Sequence, residues 1–171
     1  MRKSTPIFVL LLFLAVYSHA QQDPMFTKYM FNSLVFNPAY AGSKDHMTLG
    51  LLHRTQWFGI DGGPNTQSFT IHTPLPKERV GVGFSAINDV VGPTRTMQAN
   101  LAYAYRIPMG PGKLSVGLQA GVTNWSADWT KLTLVDPTDP AFAEINPSKW
   151  LPNFGVGLYY YTNRFYVGAS S

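Results

Sequence analysis

The 171-residue chain contains no cysteine. That excludes disulfides, thiolate nucleophiles and thiolate metal sites, and it excludes a lipid anchor on a cysteine after the leader. Charge is scarce: Asp, Glu, Lys and Arg together make up 13%, about half the ~25% of ordinary soluble domains. The formal net charge is +4, of which Arg2 and Lys3 supply +2. The remainder is too small and too dispersed for a nucleic-acid footprint. Long apolar runs are also missing: none after the N-terminus approaches the ~20 residues of a membrane helix.

The leading apolar run, Ile7 to Tyr17, is itself too short to span a bilayer. It follows the basic Arg2-Lys3 and precedes Ser18-His19-Ala20, small-residue positions that a signal peptidase reads. The basic, apolar, small order is that of a secretory signal peptide, not of a buried N-terminal helix. The expected organisation is a signal peptide over 1–20, an irregular N-terminal segment over 21–46 and one folded domain over 47–171.

What the domain has in abundance is alternation. Val80, Val82, Phe84 and Ala86 alternate with Gly81, Gly83 and Ser85. The same period of two runs through Thr96–Ile107, Lys113–Val122, Asn153–Tyr160 and Arg164–Ser170, and more weakly through Met47–Gln56 and Thr66–Thr73. Seven half-buried strands are therefore predicted. The connections around 74–78, 108–112 and 162–163 are short. Those over 57–64, 89–94 and 123–149 are longer, and such alternation of loop length marks an outer-membrane meander.

A soluble barrel hides its apolar face, whereas a membrane barrel turns that face to lipid. The other face decides between them, because on a soluble protein it would carry Lys and Glu. Here it carries Gly, Ser, Asn, Gln and Ala, with Arg106 as the exception. Aromatics at Tyr103, Tyr105, Tyr159, Tyr160, Tyr161, Tyr166 and Trp150 lie near strand ends, where an aromatic girdle would sit. The expected fold class is all-β: an antiparallel up-and-down transmembrane β-barrel. Seven strands are odd, and bacterial barrels are even. The expectation is therefore an incomplete barrel, either a fragment of a longer gene product or a part of a larger assembly.

No catalytic constellation stands out, so no enzyme activity and no cofactor is expected. The run Gly81-Val82-Gly83-Phe84-Ser85-Ala86 superficially fits a dinucleotide fingerprint, but its glycines lie inside a strand and open no helix. His46, His53 and His72 have no metal-like spacing. Ser68, His72 and Asp61 make a forced hydrolase trio. Asp128, Asp136, Asp139 and Glu144 lack the spacing of a calcium loop, and no metal is expected. Trp125, Trp129 and Trp150, with Phe142, are read as residues of the long loop that either pack on the rim or meet a partner.

The stretch before the first strand, "QDPMFTKYMFNSLVFNPAYAGS" (Gln22 to Ser43), is rich in aromatics yet keeps no period. Burying each aromatic is worth ~1.5–3 kcal/mol. Phe26, Tyr29, Phe31, Asn37, Pro38 and Tyr40 are therefore candidate contacts. They plug the lumen or pack on the rim, or else dock a periplasmic partner. Asn37-Pro38 then turns the chain.

Gln22-Asp23-Pro24, Tyr29-Met30-Phe31-Asn32 and Asn37-Pro38-Ala39-Tyr40-Ala41-Gly42-Ser43 resemble the start of the PorP/SprF family. Arg54-Thr55-Gln56-Trp57, Asp61-Gly62-Gly63-Pro64-Asn65-Thr66-Gln67 and His72-Thr73-Pro74-Leu75 extend that resemblance. It implies a non-enzymatic outer-membrane component of the type IX secretion system of Bacteroidetes. Such a component supports export or surface attachment of cargo, in some members gliding-motility adhesins. The implied partners are other secretion components, secreted cargo and outer-membrane lipid. A passive porin and a soluble exported binding barrel are the alternatives. Neither nucleic acid nor a small-molecule substrate is implied.

Overall fold

The computed structural model describes residues 32–76, 79–131 and 146–171. Seven strands follow one another in chain order: β1 (Thr48–Thr55), β2 (Asn65–Pro74), β3 (Val80–Val91), β4 (Thr94–Met109), β5 (Gly112–Ala127), β6 (Ser148–Tyr161) and β7 (Tyr166–Ser170). They form a single sheet of order β1-β2-β3-β4-β5-β6-β7, every neighbouring pair antiparallel. This is an up-and-down half-barrel. Among the described residues β1 and β7 are its two edges.

The expected period of two sets the faces. On β4, Ala102, Ala104 and Arg106 are buried and point to the concave side, while Leu101, Tyr103, Tyr105 and Ile107 are exposed on the convex side. On β5, Ser115 and Gly117 alternate with Val116 and Leu118 in the same way. Leu101 is 66% and Phe154 82% exposed, so the large apolar side chains line the outside. The buried apolar cluster is small: Leu34, Ala41, Ala102 and Ala104, with Tyr40 against it. A protein with its apolar mass outside and its polar residues inside is built for a hydrocarbon solvent.

β4 and β5 each run 16 residues, longer than the ~9–11 a tilted spanning strand needs. This length corrects two expectations. Asp89 to Val91 belong to β3, so the β3–β4 connection is the two-residue turn Gly92-Pro93, not a longer loop. Trp125 and Trp150 belong to β5 and β6, not to the long loop. The β4–β5 turn is built alike, on Gly110-Pro111. Gly92 has φ 57° and Gly110 φ 58°, a conformation that L-residues resist and that a glycine-first two-residue hairpin requires.

The expected aromatic girdle is also divided. Tyr103, Tyr105, Tyr160 and Trp150 face outward, as a girdle needs. Tyr159, Tyr161 and Tyr166 have the opposite parity and face the concave side. There Tyr159 stacks on Tyr161 at 5.4 Å between ring centroids and meets Tyr166 at 5.7 Å.

Candidate functional site on the concave face

The segment before β1 folds back over the inside of the sheet. It begins with a single helical turn, α1 (Ser33–Phe36), and continues through a 3-10 turn over Pro38–Tyr40. Asn37 joins the two: its Oδ1 accepts from the backbone N–H of Ala39 at 2.9 Å. Pro38 opens the turn with a preset φ and no N–H to satisfy. Neither element could persist alone, since four helical residues do not repay nucleation. The sheet beneath holds them.

The path can be followed from strand to strand. Asn32 Nδ2 donates to Ser68 Oγ on β2 at 3.0 Å. Leu34 lies over Gly83 on β3, where an added Cβ would come within 3.0 Å of its Cδ1. The Ser170 hydroxyl on β7 donates to the Phe36 carbonyl at 2.6 Å. Asn37 Nδ2 donates to Leu158 O on β6 at 2.9 Å and to Ala169 O on β7 at 3.4 Å. Pro38 and Ala39 rest on Gly117 and Gly157, and Ala41 rests on Gly81. Tyr40 meets His72 edge-on at 5.3 Å and Tyr159 at 5.5 Å. Gly42 closes the path: its N–H donates to His72 Nδ1 at 3.3 Å, and its carbonyl accepts from Arg106 Nη1.

The glycines of the concave face are thus where backbone meets backbone. A Cβ on Gly81, Gly117 or Gly157 would overlap Ala41, Ala39 or the Asn37 side chain. Arg106 has a related role. It is 2% exposed, and its guanidinium donates to the carbonyls of Gly42 and, at 3.3 Å, Val80. Its Nε has no partner among the described residues.

Of the candidate contact residues, the structure brings Asn37, Pro38 and Tyr40 together on the concave wall. Phe26, Tyr29 and Phe31 lie outside the described residues, as does Phe142. Trp125 has concave parity and sits 6.5 Å from Trp129, which lies in a 3-10 turn just after β5. Trp150 is 70% exposed on the convex side. Sequence reasoning missed Gly42, His72 and Arg106 as one cluster. It also missed the exposed tip Trp57, Phe58 and Ile60 between β1 and β2, where Trp57 adopts φ 53°.

The forced hydrolase trio is not assembled. Ser68 accepts from Asn32, His72 accepts from Gly42, and Asp61 sits in the β1–β2 loop at the far end of β2 from His72. Among the described residues no three His, Asp or Glu side chains converge on a metal position. What the concave face does chemically is bind a peptide segment through small residues, carbonyls and one buried guanidinium.

A family model described as "Type IX secretion system membrane protein PorP/SprF" matches residues 18–171. No curated protein and no solved structure matches the chain.

Proposed function

This chain belongs to the PorP/SprF family of type IX secretion system membrane proteins, and from that premise we propose that it is a non-catalytic component of the outer membrane. In this reading it supports export or surface attachment of cargo proteins, gliding adhesins among them, through contacts with other secretion components. The convex face is the lipid face, the long loops point outward, and the short turns lie in the periplasm. The segment around Asn37-Pro38 and Tyr40 is an internal plug, and the aromatics ahead of it, Phe26, Tyr29 and Phe31, carry the contact to the machinery.

One observation supports this reading above the others: the concave face is occupied by the protein's own segment. A diffusion porin needs that space open and charged. A soluble binding barrel would not leave Leu101, Leu118, Phe154 and Val156 exposed on its outer surface. The test is the triple variant Phe26→Ala, Tyr29→Ala, Phe31→Ala in the native gene. Heat-modifiable protein in the outer membrane should stay near normal while cargo at the cell surface falls sharply. Loss of the variant from the membrane would make the segment an assembly element instead. Normal cargo and normal abundance together would remove it from the function.

A further inference from the structure

The charges of the described residues are unevenly placed. At the short-turn end stand five cations, Lys44, Arg79, Arg106, Lys113 and Arg164, against one carboxylate, Asp45. The adjacent Lys77 and Glu78 offset each other in sequence. The opposite end is mixed: Asp61, Asp89 and Asp128 accompany Arg54, Arg95 and Lys149.

Three of the cations share a face. Arg106 and Lys113 have concave parity on β4 and β5, and Arg79 continues the concave parity of β3 beside Arg106, whose N–H donates to the Arg79 carbonyl at 2.7 Å. Arg164 lies in the β6–β7 turn next to the Lys113–Tyr161 pair. Lys44 is exposed where the inner segment leaves the sheet for β1. With strands ~4.8 Å apart, the arc from β3 to β7 spans roughly 20 Å. Arg106 is buried and holds the segment, yet its charge adds to the potential of the mouth, which low-dielectric walls focus. Tyr161, nearby on the concave side, has a buried hydroxyl without a partner among the described residues.

We propose that the short-turn mouth of the half-barrel is a docking site for an acidic polypeptide segment of a partner protein. The occupant's sign follows from the charge balance. Its class follows from direction: outward positions at the same end are Tyr105, Ile107, Met109, Tyr160 and Phe165, while Arg79, Arg106 and Lys113 take the concave parity, away from the lipid-facing rim where phospholipid headgroups lie. The inference deepens the secretion reading by giving the chemistry of one partner, and it rests on that reading for the partner's location in the periplasm.

The test uses the purified full chain in detergent and two labelled peptides, one of alternating Glu and Gly and one of alternating Gln and Gly. The Glu peptide should bind at least tenfold tighter, and raising the salt from about 0.05 M to about 0.3 M should remove most of that preference. The variant Lys44→Gln, Arg79→Gln, Arg164→Gln alters exposed positions and should lose roughly tenfold, a factor of two to three for each exposed pair. Circular dichroism and heat-modifiable mobility check its fold. If the triple change disturbs them, Lys44→Gln with Arg164→Gln, both outside the strands, gives the same comparison. Equal binding of both peptides, or Glu-peptide binding untouched by the variants, overturns the proposal. So does capture of phosphatidylglycerol vesicles with no binding of the Glu peptide, which would make the mouth a lipid site. Because binding is read on the isolated chain and export in cells, failure of one reading does not mimic failure of the other.

Discussion

Asn37 holds three parts of the molecule with one side chain. Its carbonyl oxygen shapes the 3-10 turn through Ala39, and its amide ties the segment to Leu158 on β6 and Ala169 on β7. The fit depends on Gly157, whose missing side chain leaves the room Asn37 fills. Asn37→Ala should therefore lower stability by about 1–3 kcal/mol, the cost of leaving partly buried partners unmade. Asn37→Asp should be worse, because it turns a carboxylate toward two carbonyls. Gly157→Ala should cost a similar ~1–3 kcal/mol by forcing overlap with Asn37. The double change Asn37→Ala, Gly157→Ala should cost clearly less than the sum, since alanine at 37 vacates the space. Urea midpoints for loss of heat-modifiable mobility measure all four. Strict additivity would mean that the segment does not sit where the glycines admit it.

At the scale of the strand, the two faces predict opposite tolerance. Leu101→Arg or Val116→Arg puts a charge on the convex face and should cost ~2–4 kcal/mol near the bilayer midplane. Membrane assembly in cells should drop accordingly. The concave face is not the open lumen that alternation alone suggests. Asn100 is buried and Gly117 lies under Ala39, so Asn100→Arg and Gly117→Ser should also be harmful, by crowding and not by lipid exposure. Gln119 is only half-buried on that face, and Gln119→Lys should assemble nearly as well as the wild type. Equal loss for Leu101→Arg and Gln119→Lys would reject the assignment of faces. Strand number and face were legible because a period of two needs only local sequence. The strand ends were not, since nothing in Asp89-Val90-Val91 or in Asn124-Trp125 says that pairing continues past the hydrocarbon. The inward turn of Tyr159, Tyr161 and Tyr166 was missed because aromatic content suggests a girdle, and only register reveals parity. Asn37, Pro38 and Tyr40 could be singled out by composition. Their glycine seats on β3, β5 and β6 could not, because the segment's contacts join residues as many as 134 apart in sequence, as Phe36 and Ser170 are.

For the molecule as a whole, the remaining question is which end faces out. Connections at one end run over 56–64, 92–93 and 128–147, and at the other over 75–79, 110–111 and 162–165. The tight Gly92-Pro93 turn weakens a simple contrast of lengths, but it is not isolated. Gly92 N–H donates to Gly62 O at 2.9 Å, and Asp128 N–H donates to Pro93 O at 2.9 Å. The β1–β2 loop, the β3–β4 turn and Asp128 at the end of β5 are therefore joined, with Trp57, Phe58 and Ile60 exposed beside them. The inner segment enters β1 at the opposite end, beside His72 and Arg106. In the proposed reading the N-terminal segment stays in the periplasm and the first strand begins there, which would put the joined loops at the cell surface. The absence of native cysteine makes the test clean. Ile60→Cys and Met109→Cys lie at opposite ends and are both exposed. An impermeant maleimide on intact cells should label Ile60→Cys strongly and Met109→Cys only after the outer membrane is opened. Strong labelling of Met109→Cys with none at Ile60→Cys would invert the topology. The cationic mouth would then be at the cell surface, and the acidic partner proposed for it would have to be sought outside the cell.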